Sequence, residues 1–358
     1  MIPIRKPGAK PARRLAATLA LTLATALSPI GADGAGFAHA AHAVEAAQPG
    51  AQSAFAAPGP HAVTTTLDTW RDEERGRDIP VKLYRPGGAG PFPAVIFSHG
   101  LGGSRDAAPY LGAHLASWGF VAVHIQHPGS DTAIWEGARN RRALMEAMQR
   151  AVRDPGATID RFQDIPFVVD AIEARAASLD IDPERLGVAG HSFGAHTVMA
   201  ASGFTFLTGR GGQSMAEPRL SAGLLLSPPA PNDRIDPSDY PEVYGSVAIP
   251  LLHITGVDDG SPLDRTLDPA ERTIAFREID DAPQYLIVFD PGDHQVFSGR
   301  EGRRAQPDWY PGVQAATAQA AAAFFRAELY GDPDARAFMD GPAFDAAFED
   351  LAQTDRRR

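Results

Sequence analysis

The sequence contains no cysteine. That excludes disulfide staples, thiolate zinc sites, iron–sulfur ligation, a cysteine nucleophile and a lipid-modified cysteine anchor. Lysine is nearly missing too: beyond residue 40, Lys82 stands alone. Cations are in the minority, with 33 Lys and Arg against 44 Asp and Glu and a formal net charge of −11, so no nucleic-acid partner is expected. No apolar run spans a bilayer comfortably; the candidate, Leu15–Leu27, is too short. What remains is ordinary for a globular protein. The chain has 358 residues, 44% of them hydrophobic and 22% charged, enough for a sizeable core and too apolar for wholesale disorder.

Residues 1–14 carry Arg5, Lys6, Lys10, Arg13 and Arg14 and no acid. The Ala/Leu-rich run follows, then small residues with Ala38-His39-Ala40 as a cleavage candidate. This order predicts an export signal over residues 1–40 and a secreted or periplasmic protein without a stable membrane span, the alternative being an uncleaved anchor. Removing that segment leaves 28 cations against 43 anions. Residues 41–61, rich in Ala, Pro, Gly, Gln and His, read as a flexible leader. There is no internal repeat.

Beyond residue 61 strands and helices alternate. Val63–Trp70 and Ile79–Tyr84 flank a charged turn and predict an N-terminal hairpin. Pro93–Phe97, Phe120–Ile125, Leu186–Ala189, Leu224–Leu226, Leu251–Thr255 and Tyr285–Phe289 read as buried strands. Leu111, Leu115 and Trp118 share a helical face. Asp160 is the expected cap of a helix with a stripe of Ile165, Val168, Val169 and Ile172. Further helices are expected at 195–201, 268–276 and 313–329. The alternation predicts an α/β fold, a mostly parallel twisted sheet with helices on both faces, and chemistry at the carboxyl ends of the strands.

At those ends stand unusual residues. Gly190-His191-Ser192-Phe193-Gly194 is a G-x-S-x-G turn between a strand and a helix, the setting that exposes a nucleophilic serine. A serine hydroxyl needs a histidine base, and the histidine a carboxylate. His294 follows the strand Tyr285–Phe289; it is the last of the 11 histidines, and the others all precede Asp258, so none of them completes the order Ser, acid, His. Gly256-Val257-Asp258-Asp259 supplies the acid, with Asp259 preferred on its G-x-x-D spacing and Asp258 and Asp233 as the other candidates. The oxyanion donors are expected to be the backbone N–H groups of Phe193 and of Leu101, in Ser98-His99-Gly100-Leu101-Gly102-Gly103. His99 is expected to support that loop and His191 to be a packing residue. His124 and His127, three apart at a strand end, point to opposite faces and form no metal site.

These segments, with His127-Pro128-Gly129-Ser130 and Gly292-Asp293-His294, resemble the α/β-hydrolase superfamily over residues 62–330. More narrowly they are similar to its dienelactone-hydrolase and platelet-activating-factor acetylhydrolase branch, with cutinase- and polyesterase-like relatives. The resemblance implies an α/β-hydrolase fold and a serine esterase needing no cofactor and no metal, with Ser192 as nucleophile, His294 as base, Asp259 as acid, and Leu101 and Phe193 at the oxyanion. Its substrate would be a small-molecule, lipid or polymer ester. Two departures stand out. Ser227 occupies the place where the similar animal acetylhydrolases carry their acid, and dienelactone hydrolases proper use a cysteine that this chain lacks. An acyltransferase and a non-catalytic binding protein are the alternative functions.

Residues 130–158 read as an insertion with two open interpretations. One is a cap over the acyl pocket, with Arg139, Arg141 and Arg142 meeting an anionic group; the other is a solvated amphipathic helix. Residues 331–358 are set apart as a C-terminal tail that either docks on the domain or stays mobile.

Overall fold

A computed structural model of the protein describes residues 55–209, 211–231, 235–261, 263–264, 266–299 and 306–358. The expected export signal, most of the leader and Asp233 lie outside them. In chain order the strands are β1 (Val63–Asp72), β2 (Arg77–Pro86), β3 (Phe92–Ser98), β4 (Val121–Ile125), β5 (Ile181–His191), β6 (Thr205–Thr208), β7 (Gly211–Ser214), β8 (Leu220–Leu226), β9 (Leu251–Asp258), β10 (Gln284–Asp293) and β11 (Ala352–Arg357). The helices are α1 (Pro109–Ser117), α2 (Arg141–Arg153), α3 (Pro155–Leu179), α4 (Phe193–Ala201), α5 (Tyr240–Tyr244), α6 (Ile274–Glu278), α7 (Tyr310–Leu329), α8 (Pro333–Asp340) and α9 (Pro342–Phe348).

Nine strands form one sheet in the order β1-β2-β4-β3-β5-β8-β9-β10-β11. The strands from β4 to β10 in that order run parallel, whereas β1, β2 and β11 add antiparallel pairings at the edges. Every residue of β3 is buried, because helices cover both of its faces. On one face α1 and α7 pack Leu111, Leu115, Phe324 and Phe325 against the sheet. On the other, α3 and α4 contribute Ile165, Val169, Ile172 and Val198. Each such side chain, fully removed from water, contributes roughly 1.5–3 kcal/mol before entropy is counted. The mostly parallel sheet with an N-terminal hairpin is the architecture the sequence predicts.

Three local expectations are corrected, and one left open is decided. α3 begins at Pro155, not beyond Asp160: the Asp154 carboxylate accepts from the Gly156 N–H at 2.9 Å, and Pro155 supplies the fixed φ of a first helical residue. Asp160 lies inside the helix and pairs with Arg77 at 2.8 Å. The insertion therefore ends at Asp154 and holds a short 3-10 helix, Thr132–Trp135, and α2. Of the two readings of the tail, the structure shows the docked one. α8 and α9 bury Phe338, Phe344 and Phe348, and β11 pairs with β10 from Gln284↔Arg357 to Phe289↔Ala352. Residues 55–61 also dock: the ring of the buried Phe55 lies 5.0 Å from that of Trp118, and the Gly59 N–H donates to Ser117 Oγ at 2.9 Å. Among the described residues no helix is long and apolar enough to cross a membrane.

Candidate active site

β5 runs into α4 through Ser192 alone, and Ser192 has φ 55° and ψ −115°. A side-chain-bearing residue seldom adopts this conformation; it turns the hydroxyl out of the sheet end. The flanking glycines are needed for contact. A Cβ on Gly190 would run into the Gly194 carbonyl, and one on Gly194 into the Ser98 carbonyl. The turn and the loop after β3 thus meet backbone to backbone.

His294 follows β10 and reaches back, its Nε2 lying 2.9 Å from Ser192 Oγ. Its Nδ1 is 2.7 Å from Asp259 Oδ1. Asp259, just past β9, is fully buried, while Asp258 is exposed. The second oxygen of Asp259 accepts from the Thr255 hydroxyl at 2.8 Å. Ser227 follows β8 directly and brings no charge toward His294.

Two residues without a sequence signal complete this arrangement. The buried Arg272 places Nε 3.0 Å from Asp259 Oδ1, and its guanidinium donates to the carbonyls of Asp259, Gly260, Ser227 and Pro228. Burial alone would raise the Asp259 pKa; the hydrogen bond and charge of His294, joined by the Arg272 charge, hold it below its usual value. His191, expected only to pack, lies with its ring 4.9 Å from that of His294 and its Nε2 2.9 Å from the His294 carbonyl. It therefore anchors the backbone that carries the imidazole.

The loop Ser98–Gly103 faces Ser192. Gly102 has φ +67°, and its N–H donates to the Ser130 carbonyl at 2.8 Å. His99 accepts the His127 N–H on Nε2 at 3.0 Å, so Nδ1 carries the proton that meets the Gly100 carbonyl at 2.7 Å. The His99 ring thereby braces the loop from both ends. Leu101 and Phe193 lie with Ser192 and His294 on the wall of a cavity of about 830 Å³. Phe204, Phe206 and Met199 form part of its apolar lining.

α2 closes over part of this cavity. Asn140 caps it, and Leu144, Met145, Met148 and Val152 recur on one side and line the cavity. Arg139, Arg141 and Arg142 are exposed and lie outside the cavity lining. Trp135 donates its indole N–H to the Gly102 carbonyl at 2.6 Å, tying this segment to the glycine loop.

A second Ser–His–Asp chain lies below. Ser98 Oγ is 2.9 Å from His127 Nε2, and His127 Nδ1 is 2.8 Å from Asp164 Oδ2. All three residues have 0% exposure and none lines the cavity, so no substrate reaches Ser98. Ser98 also accepts from Arg161 Nη2 at 3.0 Å, which turns its own proton toward His127 and keeps that imidazole neutral. Among the described residues no group of three metal-ligating side chains is gathered.

Burial lowers the pKa of several imidazoles: those of His127 and of His253, a buried residue of β9, to about 4, and those of His124 and His191 to about 3. The unfolded chain takes up protons on them below about pH 6.5, and the folded chain does not until the lower values. Their stabilising contribution is thus complete above pH 6.5 and is lost as pH falls toward 4, by about 1.4 kcal/mol per pH unit for each ring. Asp164 and Asp259, both held below the usual carboxylate value, matter only in more acid solution. The melting temperature is expected to drop by about 10 °C or more between pH 7 and pH 5. A scanning-calorimetry midpoint that stays level over that range would contradict it.

Residues 80–151 match the family model described as "Platelet-activating factor acetylhydrolase, isoform II". The stretch runs from β2 through most of α2 and includes the glycine loop. Among curated proteins, the platelet-activating factor acetylhydrolase of Canis lupus familiaris is 27% identical over 145 residues, covering 31% of this chain and 32% of that protein. The one from Cavia porcellus is 26% identical over 149 residues, covering 34% of each. The chain therefore spans about a third of the length of the curated relatives it matches. Sheet order, the strand-to-helix serine turn and the matched segment agree: the fold is consistent with that of the α/β-hydrolases, and over residues 80–151 the chain is similar to the platelet-activating factor acetylhydrolase, isoform II, family.

Proposed function

We propose that the chain hydrolyses carboxylic esters through an acyl-enzyme, with Ser192 as nucleophile, His294 as general base and acid, and Asp259 as the orienting carboxylate. The observation that carries this reading is the continuous hydrogen-bonded line Asp259–His294–Ser192 opening onto an apolar cavity.

In this reading His294 Nε2 takes the Ser192 proton as Oγ attacks the ester carbonyl. Asp259, ionised and fixed by Arg272 and Thr255, keeps the proton of the neutral ring on Nδ1 and offsets the imidazolium charge. The N–H groups of Leu101 and Phe193 receive the carbonyl oxygen as it becomes an anion, each such donor lowering the barrier by about 2.7–4 kcal/mol. The imidazolium returns its proton to the leaving alcohol. A water molecule, deprotonated by His294, then attacks the acyl-serine, and the acid departs with Ser192 reprotonated. The relatives' name concerns an acetyl ester; the apolar lining here fits an ester with an apolar portion on at least one side of its carbonyl.

A fluorophosphonate probe tests the assignment. It is expected to label one residue, Ser192, by peptide mapping, with labelling abolished by prior denaturation. Label found on another serine, or persisting in Ser192→Ala, would overturn it.

A further inference from the structure

Among the described residues Arg161 is the most deeply buried arginine. It sits in α3, has 0% exposure and does not line the cavity. Its guanidinium spans three separate segments. Nη2 donates to the His99 carbonyl and, at 3.0 Å, to Ser98 Oγ. Nη1 donates to Ser130 Oγ at 2.8 Å. Nε donates to Thr197 Oγ1 at 3.2 Å, in the first turns of α4. The plane of the same group lies 4.6 Å from the centre of the Phe193 ring.

Those segments are the ones that form the pocket for the ester oxygen. His99 is two residues before Leu101. Ser130 also accepts, on its carbonyl, the N–H of Gly102. Phe193 and Thr197 belong to the helix that begins at the nucleophile. All four acceptors of Arg161 are neutral oxygens, and among the described residues no carboxylate touches it. Asp164, one turn on, is taken by Arg75 at 2.8 Å and by His127. Burial without a contacting counter-ion is costly, and it pushes the guanidinium down to about 9. An apolar side chain would fill the space at lower cost if filling were all that was required. A planar fork of five donors, by contrast, fixes several acceptors at once in a way a lysine cannot.

We propose that Arg161 is a positioning residue for the oxyanion pocket, holding the Leu101 loop and the Phe193 end of α4 at a fixed separation. The proposal rests on the reading of Ser192 as the nucleophile. Ser98, His127 and Asp164 are its supports: the neutral imidazole holds Ser98 so that its lone pair faces Arg161, and Arg75 and Arg77 hold Asp164.

The test compares wild type, Arg161→Met, Arg161→Lys, Ser130→Ala and Thr197→Val, each with its active sites titrated. The readouts are kcat and KM for p-nitrophenyl acetate and the inhibition constant of phenylboronic acid, whose serine adduct is tetrahedral. Arg161→Met is expected to lower kcat by about 100-fold with KM changed less than about 3-fold, and to weaken the boronic acid in parallel. Arg161→Lys is expected to recover less than about a tenth of the loss. Ser130→Ala and Thr197→Val each remove one acceptor, and each is expected to lower kcat by about 3- to 10-fold at unchanged KM. These two decide the matter if the Arg161 variants do not fold. A lowered melting temperature with kcat per titrated site unchanged, or full rescue by lysine, overturns the positioning role. Wild type with no ester turnover and no probe labelling overturns the serine-hydrolase reading instead.

Discussion

Ser192→Ala is expected to lower kcat by about a million-fold while leaving KM within a few-fold and the melting curve unchanged. The size follows from what the residue does alone. No other hydroxyl both faces His294 Nε2 at 2.9 Å and opens on the cavity, among the described residues. Ser98 sits against its own histidine but is sealed from solvent, so it offers no substitute nucleophile. Activity that survives in the variant would come from the oxyanion donors and binding, on the order of 10³–10⁴ above water. Steady-state turnover of a p-nitrophenyl ester measures it, with the variant made in a clean background. A residual rate above about one per cent of wild type would place the nucleophile elsewhere.

Asp259→Asn should follow, with a loss on the order of 10⁴-fold in kcat. The carboxylate accepts from His294 Nδ1 at 2.7 Å and faces Arg272 Nε at 3.0 Å. An amide has a single acceptor oxygen. If it turns its NH2 to the place of Oδ1, which serves both partners, the NH2 faces Nδ1 and Arg272 together and forces the other tautomer, in which Nε2 carries the proton and cannot receive one from Ser192. If it keeps its oxygen there, the NH2 takes the place of Oδ2 against the Thr255 hydroxyl, and the carboxylate charge is still gone. Either way the Arg272 charge is left uncompensated beside an imidazole that must become a cation. Arg272 thus makes this substitution more damaging than the loss of one hydrogen bond. Parallel kinetics on Asp258→Asn, expected near wild type, give the contrast. Near-normal turnover in Asp259→Asn together with a crippled Asp258→Asn would move the acid by one residue.

The parts of this arrangement that carry a local pattern were legible in the sequence. Ser192 is marked by its two glycines, His294 by chain order, and Asp259 by its distance from Gly256. Each sits directly after a run of buried strand residues, and a parallel sheet brings such ends together. Arg161 and Arg272 carry no such mark. Each is a single cation within or beside a helix, and its acceptors are 31 to 63 and 12 to 45 residues away respectively. Residues as far apart as Ser98 and Asp164 become partners only once β3, β4 and α3 have packed. The missed strand β11 has a similar origin. From Gln353 to Arg357 this strand is polar without a break because it lies at a sheet edge, where alternation of apolar and polar residues is not imposed. The cap of α3 was legible and passed over, since Asp154-Pro155 is the stronger start signal.

The bare approach of Gly194 to the Ser98 carbonyl has a practical corollary for anyone reshaping this protein. Two catalytic loops that touch through main chain, with no side chain between them, cannot be redesigned one at a time; lengthening or stiffening either displaces the other. The tolerant surfaces are those where only side chains meet, such as Phe204, Phe206 and the Met145 and Met148 positions of α2. Libraries aimed at new acyl groups belong there.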